Sequence, residues 1–209
     1  MLIPKLIATV CMTLCGFTLT NSAEITSLPD GTIVPMPMNN YQGTGPQVFG
    51  PGITWTSSSS FGVFGWISGF GFGINGSWNG MNMSGTSPSS NTIQFTFNTP
   101  VTAVGGFMNY APGEGIPIIS VYDVSNNLIE SAALSFTTSP SSVNAGEFHG
   151  FRETAPIIKS FTLSNAYIGM TNLTILPAPE PSSFALCGVA SAIIAAVGYR
   201  RSQLPKTID

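Results

Sequence analysis

Apolar and polar positions alternate with period two from Thr92 to Thr99, with Ile93, Phe95 and Phe97 on one face and Thr92, Gln94 and Thr96 on the other. Successive side chains of a strand point to opposite sides, so this is the pattern of a strand burying one face. Pro100 is expected to end it, and a second strand is expected from Val101 to Tyr110 through Gly105-Gly106. Ile116 to Val124 and Leu128 to Ala133 flank Ser125-Asn126-Asn127, which suits a hairpin turn. Further strands are expected at Glu147 to Arg152, Ile157 to Ser164 and Tyr167 to Leu176, with Ser135 to Asn144 as loop. Phe61 to Ile74 is apolar enough to pass for a membrane helix, but Gly62, Gly65, Gly69, Gly71 and Gly73 would each cost a helix about 1 kcal/mol relative to alanine. Phe70, Phe72 and Ile74 alternate with glycine instead. Strands are therefore expected near 53–56, 61–67 and 69–74, with Asn75-Gly76 as the turn that follows. Glu24 to Gly52 is punctuated by prolines and reads as an extended lead-in, with short edge strands at Ile33-Val34 and Val48-Phe49. About ten short strands without an amphipathic helix predict an all-β domain, a β-sandwich or jelly roll, over residues 53–176.

Two terminal stretches are continuously apolar and stand outside this pattern. At the start, Lys5 supplies a positive head, Leu6 to Leu19 an apolar core, and Asn21-Ser22-Ala23 a cleavage site. Residues 1–23 therefore read as a secretory signal-peptide helix removed after Ala23 by a signal peptidase. Near the end, the 18 residues from Ser182 to Tyr199 carry no charge. As a helix they would span about 27 Å, at the short end of what a hydrocarbon core requires. Pro181 suits a first helical turn and Glu180 a helix N-terminus. Arg200, Arg201 and Lys206 follow, placing residues 202–209 in the cytoplasm and the upstream chain outside. Ala185, Gly188, Ala190, Ala192, Ala195 and Gly198 make this transmembrane helix only modestly apolar, which fits a sorting tag better than a lasting anchor. A buried helix of a globular domain is the rival reading, but such helices seldom lack a polar face.

Pro179-Glu180-Pro181, the apolar run 182–199, and then Arg200-Arg201 closely resemble the PEP-CTERM sorting signal of Gram-negative bacteria that make exopolysaccharide. The resemblance covers residues 177–201 and is specific in its order of parts; the extension Ser202 to Asp209 departs from it. It implies processing near Pro179–Pro181 by an exosortase-like membrane enzyme, only transient attachment to the inner membrane, and a final place at the cell surface or in the extracellular matrix. A second, weaker resemblance is to the β-sandwich domains found ahead of such tails. It rests on Phe97-Asn-Thr-Pro-Val-Thr-Ala-Val-Gly-Gly-Phe107 and on Val121-Tyr-Asp-Val-Ser-Asn-Asn-Leu128. Those domains often carry Asp-Asn-Leu near their end. This chain has Thr171-Asn172-Leu173, so the carboxylate is missing and no ligand site carries over.

Composition narrows the function classes. Cys11, Cys15 and Cys187 all fall in the two terminal segments, so the body from Glu24 to Ala178 has neither a disulfide framework nor thiol chemistry. Only 7% of the 209 residues are charged, and none lies between Gly31 and Gly113. In the body, Glu24, Asp30, Glu114, Asp123, Glu130, Glu147 and Glu153 stand against Arg152 and Lys159, which argues against a nucleic-acid partner. His149, the sole histidine, reads as a solvent-edge or hydrogen-bonded strand residue, since no nucleophile motif such as G-x-S-x-G accompanies it. Asp123-Val-Ser-Asn-Asn127 begins like a calcium loop but has Leu128 and Leu134 where glycine and glutamate are required, so a hairpin turn is expected. No catalytic residue, metal ligand or cofactor is assigned. Trp55, Trp66 and Trp78 lie in the charge-free stretch. Trp78, in Ser77-Trp78-Asn79-Gly80, and then Trp55 are the candidates for exposed rings stacking on a sugar, with a packed core as the alternative. The expected function is thus a non-enzymatic exported protein associated with exopolysaccharide or biofilm. A carbohydrate-binding module is second, and a hydrolase with an unrecognised site a distant third.

Overall fold

A computed structural model describes residues 23–67, 69–87, 91–138 and 146–178; the side chains of Ala23, Trp66 and Ile67 are outside it. The described chain is all-β. The lead-in supplies β1 (Ala23–Ile25), β2 (Thr32–Ile33), β3 (Tyr41–Gln42) and β4 (Gln47–Gly50). Then come β5 (Ile53–Ser57), β6 (Val63–Ile67), β7 (Phe70–Gly71), a 3-10 turn at Gly73–Asn75, β8 (Ser77–Trp78) and β9 (Met81–Thr86). The remainder is β10 (Thr92–Tyr122), β11 (Leu128–Ala133), β12 (Glu147–Arg152) and β13 (Ile158–Pro177).

Two long bent strands organise the body. β10 runs 31 residues and β13 runs 20, where several short strands were expected. The expected breaks are instead corners. Ladder register shifts between Thr96 and Val101, around Pro100, and again between Tyr110 and Ile118. β13 turns at Asn165, whose φ is 64°. Proline cannot donate to a ladder and a bulge bends a strand, so these positions redirect the chain without ending it. The bends produce two layers. In one, residues 160–164 of β13 lie between 92–96 and 118–122 of β10, extended by β5 and β4 on one side and β11 on the other. In the other, the order is β1-β12-β10-β13-β9-β6-β3. Strands that switch layers at bulges make a sandwich-like fold.

One apolar core joins the layers. Ile93, Phe95 and Phe97, the face that alternation selects, are 0–2% exposed and meet Val104, Met108, Phe151, Ile168 and Met170 from the second layer. The proline-rich lead-in belongs to the same body, because Leu28, Val34 and Phe49 are buried in it. One strand expectation fails. Alternation stops at Gly71, and Gly73 (φ 59°) and Gly76 (φ 80°) fold residues 73–76 into a tight turn that leaves Ile74 exposed. Asn75, expected in a turn, is fully buried there. Its Nδ2 donates to the Tyr110 carbonyl at 3.1 Å, and its Oδ1 accepts from the Thr138 amide at 3.2 Å. The signal-peptide residues 1–22 and the expected transmembrane helix 182–199 lie outside the described residues. Within these, no helix is long and apolar enough to cross a membrane.

Candidate functional site

The two tryptophans expected to meet sugars are core residues. Trp55, on β5, is 0% exposed. Its ring packs edge-on to Tyr41 and Phe64 at centroid distances of 5.7 and 5.1 Å. Its indole Nε1–H donates to Ser84 Oγ at 2.9 Å, and that hydroxyl donates onward to the Val63 carbonyl at 3.2 Å. Trp78 is 1% exposed and packs against Phe72, at 5.1 Å, and Met83. Phe70 and Tyr167 stack at 4.6 Å beside them, and burial pushes the Tyr167 hydroxyl pKa up. Neither indole offers a face to a ligand, which corrects the glycan-contact expectation for both. The physical reason is their register: Trp55 shares a core-facing side with Ile53, and β8 pairs Trp78 with Phe70 of β7.

The chemistry that the sequence left scattered converges on β12. His149 lies opposite Gly106 of β10. Its Nδ1 is 2.6 Å from Glu24 Oε1 of β1, and its Nε2 is 3.7 Å from Glu147 Oε2. Phe136 stacks on the imidazole at 5.1 Å with only 12° between the planes. A histidine between two carboxylates can hold or pass a proton. Here its second nitrogen faces a carboxylate, with no hydrogen-bond partner among the described residues. The pair therefore fits the hydrogen-bonded strand role read from the sequence, and it ties β1 to β12. Glu24, 125 residues away in sequence, is the partner that alternation on β12 alone does not reveal.

Beside β12 lies a cleft of about 570 Å³, lined by Thr26, Ser27, Leu28, Pro29, Ile33, Phe107, Glu147, Phe148 and Thr174. Phe107 and Phe148 are cross-strand partners with ring centroids 5.5 Å apart. Gly105 makes the arrangement possible, because a Cβ there would sit 2.8 Å from the Phe148 ring. Arg152 pairs with Asp30 at the same segment and pins it over the sheet. The cleft is a mainly apolar slot. The Phe107–Phe148 pair was missed in the sequence because the two phenylalanines are 41 residues apart and only sheet register joins them.

The hairpin after β10 forms as expected. Asp123 Oδ1 accepts from the Ser125 and Asn127 amides, both at 2.8 Å, and Oδ2 accepts from Asn127 Nδ2 at 2.9 Å. The Asn127 side chain, then its amide, holds the Asp123 carboxyl below the usual carboxylate range. The carboxylate is thus committed to the turn. Among the described residues, no group of three or more His, Cys, Asp or Glu side chains is arranged to hold a metal ion. Ala23 is the first residue of β1, and Pro177 is the last of β13. Pro179, Glu180, Pro181, Arg200 and Arg201 lie outside the described residues. Comparison of the chain with protein-family models, with curated proteins and with solved structures finds no match.

Proposed function

We propose that this chain is an exported, non-enzymatic protein of the cell surface or exopolysaccharide matrix, sorted by a PEP-CTERM-type tail and associated with biofilm. One observation carries the reading: a cysteine-free β-body lies between an apolar stretch headed by Lys5 at residues 1–23 and, at residues 179–201, Pro-Glu-Pro, an uncharged run and Arg-Arg. A nearly charge-free surface suits a polysaccharide surrounding, where a strongly charged one would bind ions and polyelectrolytes indiscriminately. In this reading the body is a jelly-roll sandwich flanked before processing by a signal helix and by the transmembrane helix 182–199. Its processing partners are a signal peptidase and an exosortase-like enzyme, and it touches the inner membrane only in transit.

The test replaces Pro179, Glu180 and Pro181 together by alanine in a Gram-negative host that makes exopolysaccharide and carries an exosortase. The expected result is accumulation of the variant in the membrane fraction at full tail length, while the parent chain reaches the surface or medium. Equal release of both would contradict the proposal.

A further inference from the structure

The register of the second layer places five residues in one row across the sheet: Ile25 of β1, Gly150 of β12, Gly105 of β10, Thr174 of β13 and Ile33 of β2. Residues 26–32 therefore leave one end of this row and rejoin it at the other. They bridge four strand spacings, about 19 Å, as a strap. The strap runs over the face that carries Phe107, which alternates with core-facing Met108. Glycine permits its close approach, because a Cβ on Gly31 would sit 2.5 Å from the Thr174 methyl. The cleft of about 570 Å³ is the space between this strap and the neighbouring row, where Phe107 and Phe148 pair.

Its size falls within the range of small-molecule pockets, roughly 300–1,000 Å³. Two partly exposed phenyl rings at 83° to one another form an aromatic wall. Glu147 is the one ionisable residue in the lining. Its carboxylate comes only to 3.7 Å from His149 Nε2, beyond hydrogen-bond length, so its acceptor sites remain for a ligand. The charged groups around it do not offset it: Arg152 is paired with Asp30, and Glu24 holds His149 Nδ1 at 2.6 Å. Phenyl faces and a carboxylate both attract an organic cation, through the ring quadrupole and through charge, and both disfavour an anion. We propose that the strap cleft binds a small organic ammonium ion, its apolar part against Phe107, Phe148 and Ile33 and its N–H donors on Glu147.

This site belongs to the folded body and is independent of how the chain is sorted. Isothermal titration calorimetry on the full-length chain tests it with three ligands of similar shape: 2-phenylethylammonium, 2-phenylethanol and phenylacetate. The ammonium should bind saturably, about twofold to fivefold tighter than the alcohol, as a partly exposed ion pair allows, and phenylacetate should bind weakest. Added salt should narrow the gap between ammonium and alcohol. Glu147→Gln should close that gap and leave the alcohol's affinity in place, because the side chain is half exposed and its change leaves the rings intact. Glu147→Lys should reverse the order and put phenylacetate first, a gain that a misfolded variant cannot show. Phe148→Leu, with its urea midpoint as the check on folding, should weaken the ammonium and the alcohol together. Absence of saturable ammonium binding overturns the proposal. So does an order of affinities that both Glu147 variants leave unchanged, or an affinity indifferent to Phe148→Leu, since the ligand would then sit elsewhere.

Discussion

Trp55→Ala should be among the most destabilising substitutions in the body and should leave no specific binding defect behind. The indole spans the two layers: it sits on β5 in the first and bonds Ser84 of β9 in the second. Emptying a fully buried tryptophan site costs about 3–5 kcal/mol, from lost transfer energy and the cavity left behind. Ser84 Oγ would lose its donor but keep its bond to the Val63 carbonyl. One net hydrogen bond adds about 1 kcal/mol. Trp55→Phe keeps most of the ring and removes the N–H, so its cost should fall to about 1–2 kcal/mol. Trp55→Phe combined with Ser84→Ala should cost less than the two single changes added together, because both delete the same bond. Urea denaturation of the parent and the four variants, monitored by far-ultraviolet circular dichroism, measures these differences. A Trp55→Ala protein within about 0.5 kcal/mol of the parent would refute the reasoning, since that is the range of an exposed site.

Three further outcomes follow from the same packing. Asn75→Ala should destabilise by about 2–4 kcal/mol in urea, because it leaves the Thr138 amide and the Tyr110 carbonyl without their buried partner. Gly150→Ala should cost about 1–3 kcal/mol, since its Cβ would collide with the Val104 carbonyl oxygen; Gly71→Ala, with nothing within 4 Å, should be close to neutral in the same melt. Asp123 has a lowered pKa, so its contribution is present above the ordinary carboxylate range and is lost as pH falls through the lowered value. The stability gap between the parent and Asp123→Ala should therefore be flat from pH 7 to about 5 and shrink in more acidic urea melts.

The fold class could be read from the chain because period-two alternation is local. Ile93, Phe95 and Phe97 need no knowledge of a partner strand to declare their buried face. The hairpin at Asp123–Asn127 was legible for the same reason, since an aspartate bonding amides two and four residues on is a short-range event. What sequence alone could not supply was register. Pro100 and Asn165 look like strand ends and are corners of continuing strands, because the bend shows only when the same strand pairs in both layers. The tryptophans were misjudged on that ground: Asn79-Gly80 beside Trp78 reads as a loop tip, but β8 pairs with β7 and Trp78 packs on Phe72 and Met83. The cluster of His149, Glu24 and Glu147 and the Phe107–Phe148 cleft were hidden similarly, each assembled across more than 40 residues of chain. Asn75 was missed because a polar residue before glycine usually signals an exposed turn.

Intact-mass measurement of the protein recovered from the cell surface or medium tests the central claim most directly. The account predicts a product beginning at Glu24 and ending close to Pro179–Pro181, without residues 182–209. A recovered product that still carries Ser182 to Asp209 would contradict it.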